Sequence, residues 1–345
     1  MGIALALFGV VLTYYSSVRV LGDASSALNM TALIGVANQL DPHVLKLAFI
    51  FILVGYGTKV GLVPMHTWLP DAYSEAPAPI AAMLAGVLET VAVYTVLRSK
   101  ALVDQALPPT YTGNLLLTFG LLSFVVASLF ILIQHNYKRL FAYSSIEHMG
   151  LAMIGFGVGG PLGTFAGLFH LLNHAVAKAL AFFVAGNVHR RFETLEINEV
   201  RGVAQVQPIT AVAMLVAGCA LVGLPPFSPF VSELLVVSAV AAQDFASDTM
   251  EVGRFVTMTI SDEMRSLGIV ALLLFFAVVL FGGFMFRIGT MVWGAAPDGI
   301  TRGEVWTVGH VPLMIMIVAL LGFGFVLPEP IHTLLTRAVN VIVVR

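Results

Sequence analysis

Charge is scarce in this sequence. Only 10% of its 345 residues are Asp, Glu, Lys or Arg, against 59% hydrophobic, and the mean hydropathy is +0.95. Too few polar side chains remain to cover a water-exposed surface, so the chain reads as an all-α polytopic membrane protein. Cysteine is nearly missing. The single Cys219 lies in an apolar run, which excludes an internal disulfide, and no Cys/His spacing fits a zinc or iron–sulfur site. Histidines are numerous enough for haem ligation, but nothing in their spacing favours it. We therefore expect no resident metal or cofactor. Basic clusters are limited to His189-Arg190-Arg191, which argues against nucleic acid as a partner. The first residues, Met1 to Val10, enter apolar sequence with no basic region ahead of it, so they do not read as a signal peptide. So abrupt a start leads us to expect further sequence upstream.

What is present is a series of apolar runs between turn signals. About ten can be drawn, near 1–18, 45–65, 76–97, 115–134, 141–159, 163–188, 208–224, 229–241, 268–287 and 310–327. The eighth is short for a span and comes after Leu224-Pro225-Pro226-Phe227-Ser228-Pro229. Proline removes a backbone donor, so this break reads as a discontinuous helix whose freed polar groups line a cavity. Gly61-Leu62-Val63-Pro64 faintly echoes Gly223-Leu224-Pro225-Pro226, as internal repeats in transporters do. Placement of Lys and Arg sets Lys138, Arg139, Arg190, Arg191, Arg201, Arg254, Arg265, Arg337 and Arg345 on one side, and Arg19, Lys46, Arg98, Lys100, Arg287 and Arg302 on the other. The richer side is assigned to the cytoplasm, together with the loop His66 to Ala72 and the polar stretch 242–267.

Ionisable residues inside the apolar runs are the functional signal. Lys178 sits in the stretch Gly163 to Val188, with His174 and His170 one and two helical turns before it. Residues at i, i+4 and i+8 share one side of a helix. A charge at the bilayer centre costs about 2.5–3.5 kcal/mol on insertion scales, so such a stripe lines a polar path more readily than a lipid face. Glu89 and Glu233 are the acids within spans, Lys59 is the second lysine, and Glu147 and His148 lie nearer a span end. The plain alternatives are snorkelling for Lys59, a structural ion pair or a neutral acid for Glu89, and core packing for His170. Together the groups fit protons. Burial can bring lysines and carboxylic acids toward neutral titration, where imidazole already stands. Sodium would more naturally use clustered carboxylates and carbonyls.

At these positions the sequence resembles the antiporter-like subunits of complex I, Mrp antiporters and membrane-bound hydrogenases. The likeness is carried by Gly57 to Ala72 with Ser74-Glu75-Ala76-Pro77, by Lys138 to Ser145 with His148-Met149-Gly150, by Phe169 to Leu180, and by Gly223 to Phe227 ending in Ser232-Glu233. Within the family, Tyr56-Gly57-Thr58-Lys59 and Leu195 to Gly202 are most similar to the F component of hydrogenase-4 and formate hydrogenlyase-type complexes. The resemblance implies a fold with two inverted five-helix repeats, a broken helix in each, and half-channels joined by a central polar axis. The buried ionisable groups and the resemblance together give an expected proton-translocation set of Lys59, Glu89, His170, His174, Lys178 and Glu233, supported by His66, Asp71 and His148. Lys178 and His174 match the family's central lysine–histidine site, and Glu233 the terminal residue of the second broken helix. Two departures stand out. The family's first-repeat lysine falls at Thr90, and Glu89 lies about 100° away from that position on a helix. The chain also starts inside what would be the fifth helix, so the first repeat is expected to be incomplete.

These readings give one transmembrane domain, 1–345. Its parts are a first-repeat remnant at 1–134, a second repeat at 141–290, and a C-terminal helix and tail at 291–345. The expected role is a redox-free proton-translocating subunit in the cell inner membrane. Its expected partners are other membrane subunits and a peripheral hydrogenase or ferredoxin/quinone oxidoreductase arm. The rivals are an Mrp-type cation/proton antiporter and a shortened paralogue that only anchors a complex.

Overall fold

The computed structural model describes residues 2–23, 25–242 and 252–343. Among the described residues all regular structure is helical, apart from one isolated bridge between Asn136 and Glu196. The helices are α1 (Gly2–Leu21), α2 (Met30–Gly35), α3 (Pro42–Val60), α4 (Trp68–Glu75), α5 (Ala78–Met83), α6 (Glu89–Ala106), α7 (Pro109–Ile131) and α8 (Tyr137–Val158). They continue as α9 (Gly160–Phe192), α10 (Val203–Val206), α11 (Pro208–Leu221), α12 (Ser228–Ala242), α13 (Val252–Trp293), α14 (His310–Phe325) and α15 (Glu329–Ile342). A π-helical turn, Leu84–Leu88, joins α5 to α6.

Local signals set the ends. Asp41 accepts from the amides of His43 and Val44 and starts α3, with Pro42 where a missing N–H costs nothing. Asn136 does the same for α8 through the amides of Lys138 and Arg139. Gly61 ends α3 at φ 84°, a left-handed conformation that glycine adopts without a Cβ penalty. Gly223 closes α11 in the same region, at φ 63°.

Six helical stretches are long and apolar enough to cross a membrane among the described residues, or seven if α14 and α15, bent by 71°, form one span. Three expected segments, near 141–159, 208–224 and 229–241, are not among them. They correspond to α8, α11 and α12, and the last two are apolar but short. The expected Pro-rich break is present between α11 and α12 at residues 222–227.

With no water between helices, association rests on close packing, and small residues allow it. On α7 and α8 the backbones meet at glycine. A Cβ on Gly120 would lie 2.7 Å from the Gly150 carbonyl oxygen, and one on Gly113 2.7 Å from that of Gly157. The core they close holds Phe124, Leu140, Phe141, Ile146, Ile154, Leu180, Phe182 and Val184, all buried around α8 and α9.

The helices run between two ends, and the basic residues sort differently from the sequence expectation. Arg287 Nε donates to the Gln134 carbonyl at 2.9 Å and its guanidinium also reaches Leu132, which puts it at the Lys138 end. The segment around Arg302 joins that end too, because Arg191 donates to the Thr301 carbonyl at 2.6 Å. Arg265 moves the other way. It donates to Asn114 at 3.0 Å, near the start of α7 and the Lys100 end. The described part of 242–267 that includes Arg265 is thus opposite to Lys138, while residues 243–251 lie outside the described residues. The expected grouping of Asp71 with Arg139 holds, since the two form an ion pair.

Candidate functional site

The stripe on α9 is the axis of the site. His170, His174 and Lys178 are each at most 1% exposed. Each turns to a different neighbour. His170 Nδ1 lies 3.0 Å from Ser232 Oγ of α12, and its Nε2 3.0 Å from His148 Nδ1 of α8. His174 Nε2 lies 3.2 Å from Glu89 Oε2 of α6. Lys178 Nζ donates to the Phe141 carbonyl at 2.7 Å and to Ser144 Oγ, both on α8. One helix face therefore ties three other helices together through ionisable side chains.

Glu89 reaches this axis because of the π turn before it. A π turn carries an extra residue against an α-helix and so rotates the helix beyond it. Glu89 is fully buried, and its second oxygen accepts from Tyr73 Oη of α4 at 2.5 Å. Thr90, where the resemblance leads one to expect lysine, donates to the Gly86 carbonyl at 3.1 Å instead. The two residues point differently, as expected from the helix angle, yet it is Glu89 that enters the network.

Glu233 is half-buried beside the break between α11 and α12. Together with Glu147, Phe124, Leu221 and Gly223 it lines a cavity of about 190 Å³. Its carboxylate packs so closely on the Gly223 backbone that a Cβ there would collide with Oε2. His148 Nε2 is 3.7 Å from Glu147 Oε2, and the His148 ring stands 5.3 Å from that of His174, centroid to centroid. Asn173 Nδ2 donates to the Ser228 carbonyl at 3.0 Å and to Ser232 at 3.1 Å, fixing the start of α12 against α9.

The structure thus brings together Glu89, His148, His170, His174, Lys178 and Glu233. It does not bring in Lys59, which is half-buried in the last turn of α3 and makes no hydrogen bond or ion pair among the described residues. His66 packs instead edge-on beside the stacked pair Phe130 and Tyr143, with its ring centroid 6.4 Å from each. Asp71 is at the surface with Arg139. Sequence reasoning left out Tyr73, Ser144, Asn173 and Ser232 as partners, and Glu147 as a member. Glu147 beside His148 was the one visible signal. Neutral hydroxyl and amide residues give none until their neighbours are known.

A buried row of lysine, imidazole and carboxyl groups on a multi-pass bundle can be compared with known proteins. Residues 4–261 match the family described as NADH:quinone oxidoreductase/Mrp antiporter, transmembrane. The chain belongs to this family. Among curated relatives, it is 43% identical over 242 residues to the hydrogenase-4 component F homolog of Methylacidiphilum infernorum (isolate V4), covering 70% of this chain and 51% of that one. It is 37% identical over 235 residues to an NAD(P)H-quinone oxidoreductase chain 4 of Thermosynechococcus vestitus (strain NIES-2133 / IAM M-273 / BP-1), covering 67% of this chain and 43% of that one. The chain thus spans about half the length of the curated relatives it matches. Among solved structures, it superposes on a chain of the membrane-bound sulfane sulfur reductase, an archaeal respiratory membrane complex. There the TM-score is 0.80 at 29% identity, over 99% of this chain and 63% of that one. A chain of the Mrp complex from Dietzia sp. DQ12-45-1b gives a TM-score of 0.72 at 20% identity, over 99% of this chain and 66% of that one, a likeness of fold.

Proposed function

We propose that this chain is a proton-translocating membrane subunit of a redox-driven complex of the group 4 nickel–iron hydrogenase, formate hydrogenlyase or complex I kind. The observation that carries the reading is the α9 stripe, in which His170 contacts α8 and α12, His174 contacts α6, and Lys178 contacts α8. Protons pass along Lys178, His174 with Glu89, and His148 with His170 toward Glu233. Lys59 is the remaining member of the set, assigned by resemblance, and His66 and Asp71 support the loop around it. The subunit holds no redox centre in this reading. It works with other membrane subunits and a peripheral hydrogenase or ferredoxin/quinone oxidoreductase arm, in the cell inner membrane. The similarity to subunits of hydrogenase-4 and NAD(P)H-quinone oxidoreductase, and to a chain of a respiratory membrane complex, supports the membrane partners.

A two-repeat organisation, with 1–134 as the remnant of the first repeat, 141–290 as the second and 291–345 as the C-terminal part, fits the paired glycines. Gly61 and Gly223 each close a helix at positive φ ahead of a proline-containing turn. The path crosses both parts, since Glu89 belongs to one and His174 to the other.

Coupling arises from electrostatics. Moving one charge by a few ångströms in this buried row changes a neighbour's energy by a few kcal/mol, enough to load or unload a proton. The decisive experiment is Lys178→Ala in membrane vesicles carrying the intact complex. Proton uptake is expected to be abolished while partner redox chemistry survives in part, and unchanged uptake would remove Lys178 from the path. Sodium-dependent proton exchange in membranes without redox partners would instead establish the Mrp-type activity.

A further inference from the structure

We infer that His148, His170 and Glu233 form a binding site for a divalent transition-metal ion such as Zn2+, which blocks the path by replacing the proton that the two imidazoles share. One ligand atom from each of the three residues lies within 4.8 Å of the others, and both histidines are buried. His148 Nδ1 and His170 Nε2 are already 3.0 Å apart. A tetrahedral zinc with Zn–N near 2.0–2.1 Å needs its donors about 3.4 Å apart. The pair must open by only a few tenths of an ångström, with small ring rotations to aim both lone pairs at one point. Glu233 must close a larger gap, and the adjoining cavity of about 190 Å³ gives its side chain room to do so.

The hydrogen-bond network assigns the tautomers. Ser232 Oγ donates its proton to the Pro229 carbonyl at 2.9 Å and accepts from Asn173 Nδ2 at 3.1 Å. Toward His170 it can only accept. His170 therefore carries its proton on Nδ1 and presents a lone pair at Nε2, as a ligand must. His148 Nδ1 holds the proton between the rings. When a metal takes that proton's place, His148 shifts its own to Nε2, which has no hydrogen-bond partner at present and faces Glu147 Oε2 at 3.7 Å. His170 then keeps its Nδ1–H on Ser232 Oγ, and the His148 Nε2–H gains the same outer support once the Glu147 side chain closes by about half an ångström. Metal binding is electrically compensated, because Glu233 supplies a carboxylate and Glu147 lines the same cavity.

The site stands on this geometry alone, and its blocking effect rests on the proposed proton function. The test uses the intact complex in nanodiscs, titrated with Co2+ as a spectroscopic stand-in for Zn2+, and reads the difference between wild type and variants. The wild type is expected to take up one more Co2+ per copy of this chain than His148→Gln, with the visible absorption of a four-coordinate ion. Glu233→Gln, at a half-buried position with room around it, is expected to weaken binding at least about tenfold and carries the test if the histidine variant does not assemble. His43→Gln, an exposed residue at the start of α3, is the control and should leave uptake unchanged. Equal Co2+ uptake in wild type and both site variants would overturn the site. In vesicles, Zn2+ should halt proton uptake over the same concentration range in which it binds. Site-specific binding with unaffected proton movement would support the metal site and overturn the proton path through His148 and His170.

Discussion

At the scale of single residues, the buried charges are held by uncharged neighbours. Tyr73 gives one hydrogen bond to Glu89, and the ring stands edge-on to Phe182 at 5.6 Å between centroids. Tyr73→Phe keeps the ring and removes the hydroxyl. Because it leaves a carboxylate oxygen unpaired in a buried site, it should cost about 1–3 kcal/mol. Thermal unfolding of the detergent-solubilised complex should show a lower midpoint than wild type, and an unchanged midpoint would mean that Glu89 has another donor. Gly223 matters for a different reason. Its φ of 63° and the close approach of the Glu233 carboxylate to the place a methyl group would occupy both exclude a side chain. Gly223→Ala should lower stability by about 1 kcal/mol or more and displace Glu233, so proton uptake should fall together with the melting temperature. A variant with full uptake would show that the Glu233 position is not critical.

At the scale of elements, the π turn at Leu84–Leu88 decides which residue of α6 faces the axis. Deleting Val87, which is exposed, would convert the turn to α-helix and rotate Glu89 by about 100° relative to α5. Proton uptake is expected to drop at least as far as in Glu89→Ala, while α6 itself remains helical. Uptake close to wild type would show that the register of α6 is set elsewhere. The break between α11 and α12 plays a matching part, because it lets Ser232 and Glu233 approach α9 from a helix that starts within the bundle. Such elements are hard to read from sequence. An apolar run with a π turn has the same composition as one without it, and the turn appears only when packing on α9 favours the extra residue.

At the scale of the whole molecule, a latch outside the membrane holds the C-terminal part to the bundle. Glu304 accepts from the Thr210 amide at 2.9 Å and from Thr210 Oγ1 at 2.6 Å, and His310 Nε2 lies 2.9 Å from it. Burial works to raise the Glu304 carboxyl, but these hydrogen bonds and the His310 charge outweigh it and hold the group below the usual carboxylate range. A depressed folded-state value means that the latch contributes fully above the unfolded carboxylate pKa, near 4.3, and is lost as pH falls through the lower folded value. Limited proteolysis of the 294–309 segment should therefore accelerate only in acid, below about pH 4. Glu304→Gln should be cut faster at neutral pH and lose that acid step, and identical cleavage of the two proteins at pH 7 would refute the latch.

The sequence by itself determined that the chain lives in a membrane, because so little charge leaves no other solvent for it. It also determined the α9 stripe, since residues four apart must share a helix face, and it located the Pro-rich break, since proline cannot continue the ladder of backbone bonds. Only the tertiary structure decided that Glu89 points at His174 despite its angle from Thr90, that Lys178 rests on Ser144 and Phe141, and that Lys59 stands apart from the row. It also moved Arg287 and Arg302 to the Lys138 end and Arg265 to the other. Helical periodicity is local and is written in the spacing of residues. Which buried group meets which partner depends on helix register and on backbone approach at glycines such as Gly120 and Gly150, and those are set by contacts between segments far apart in the chain.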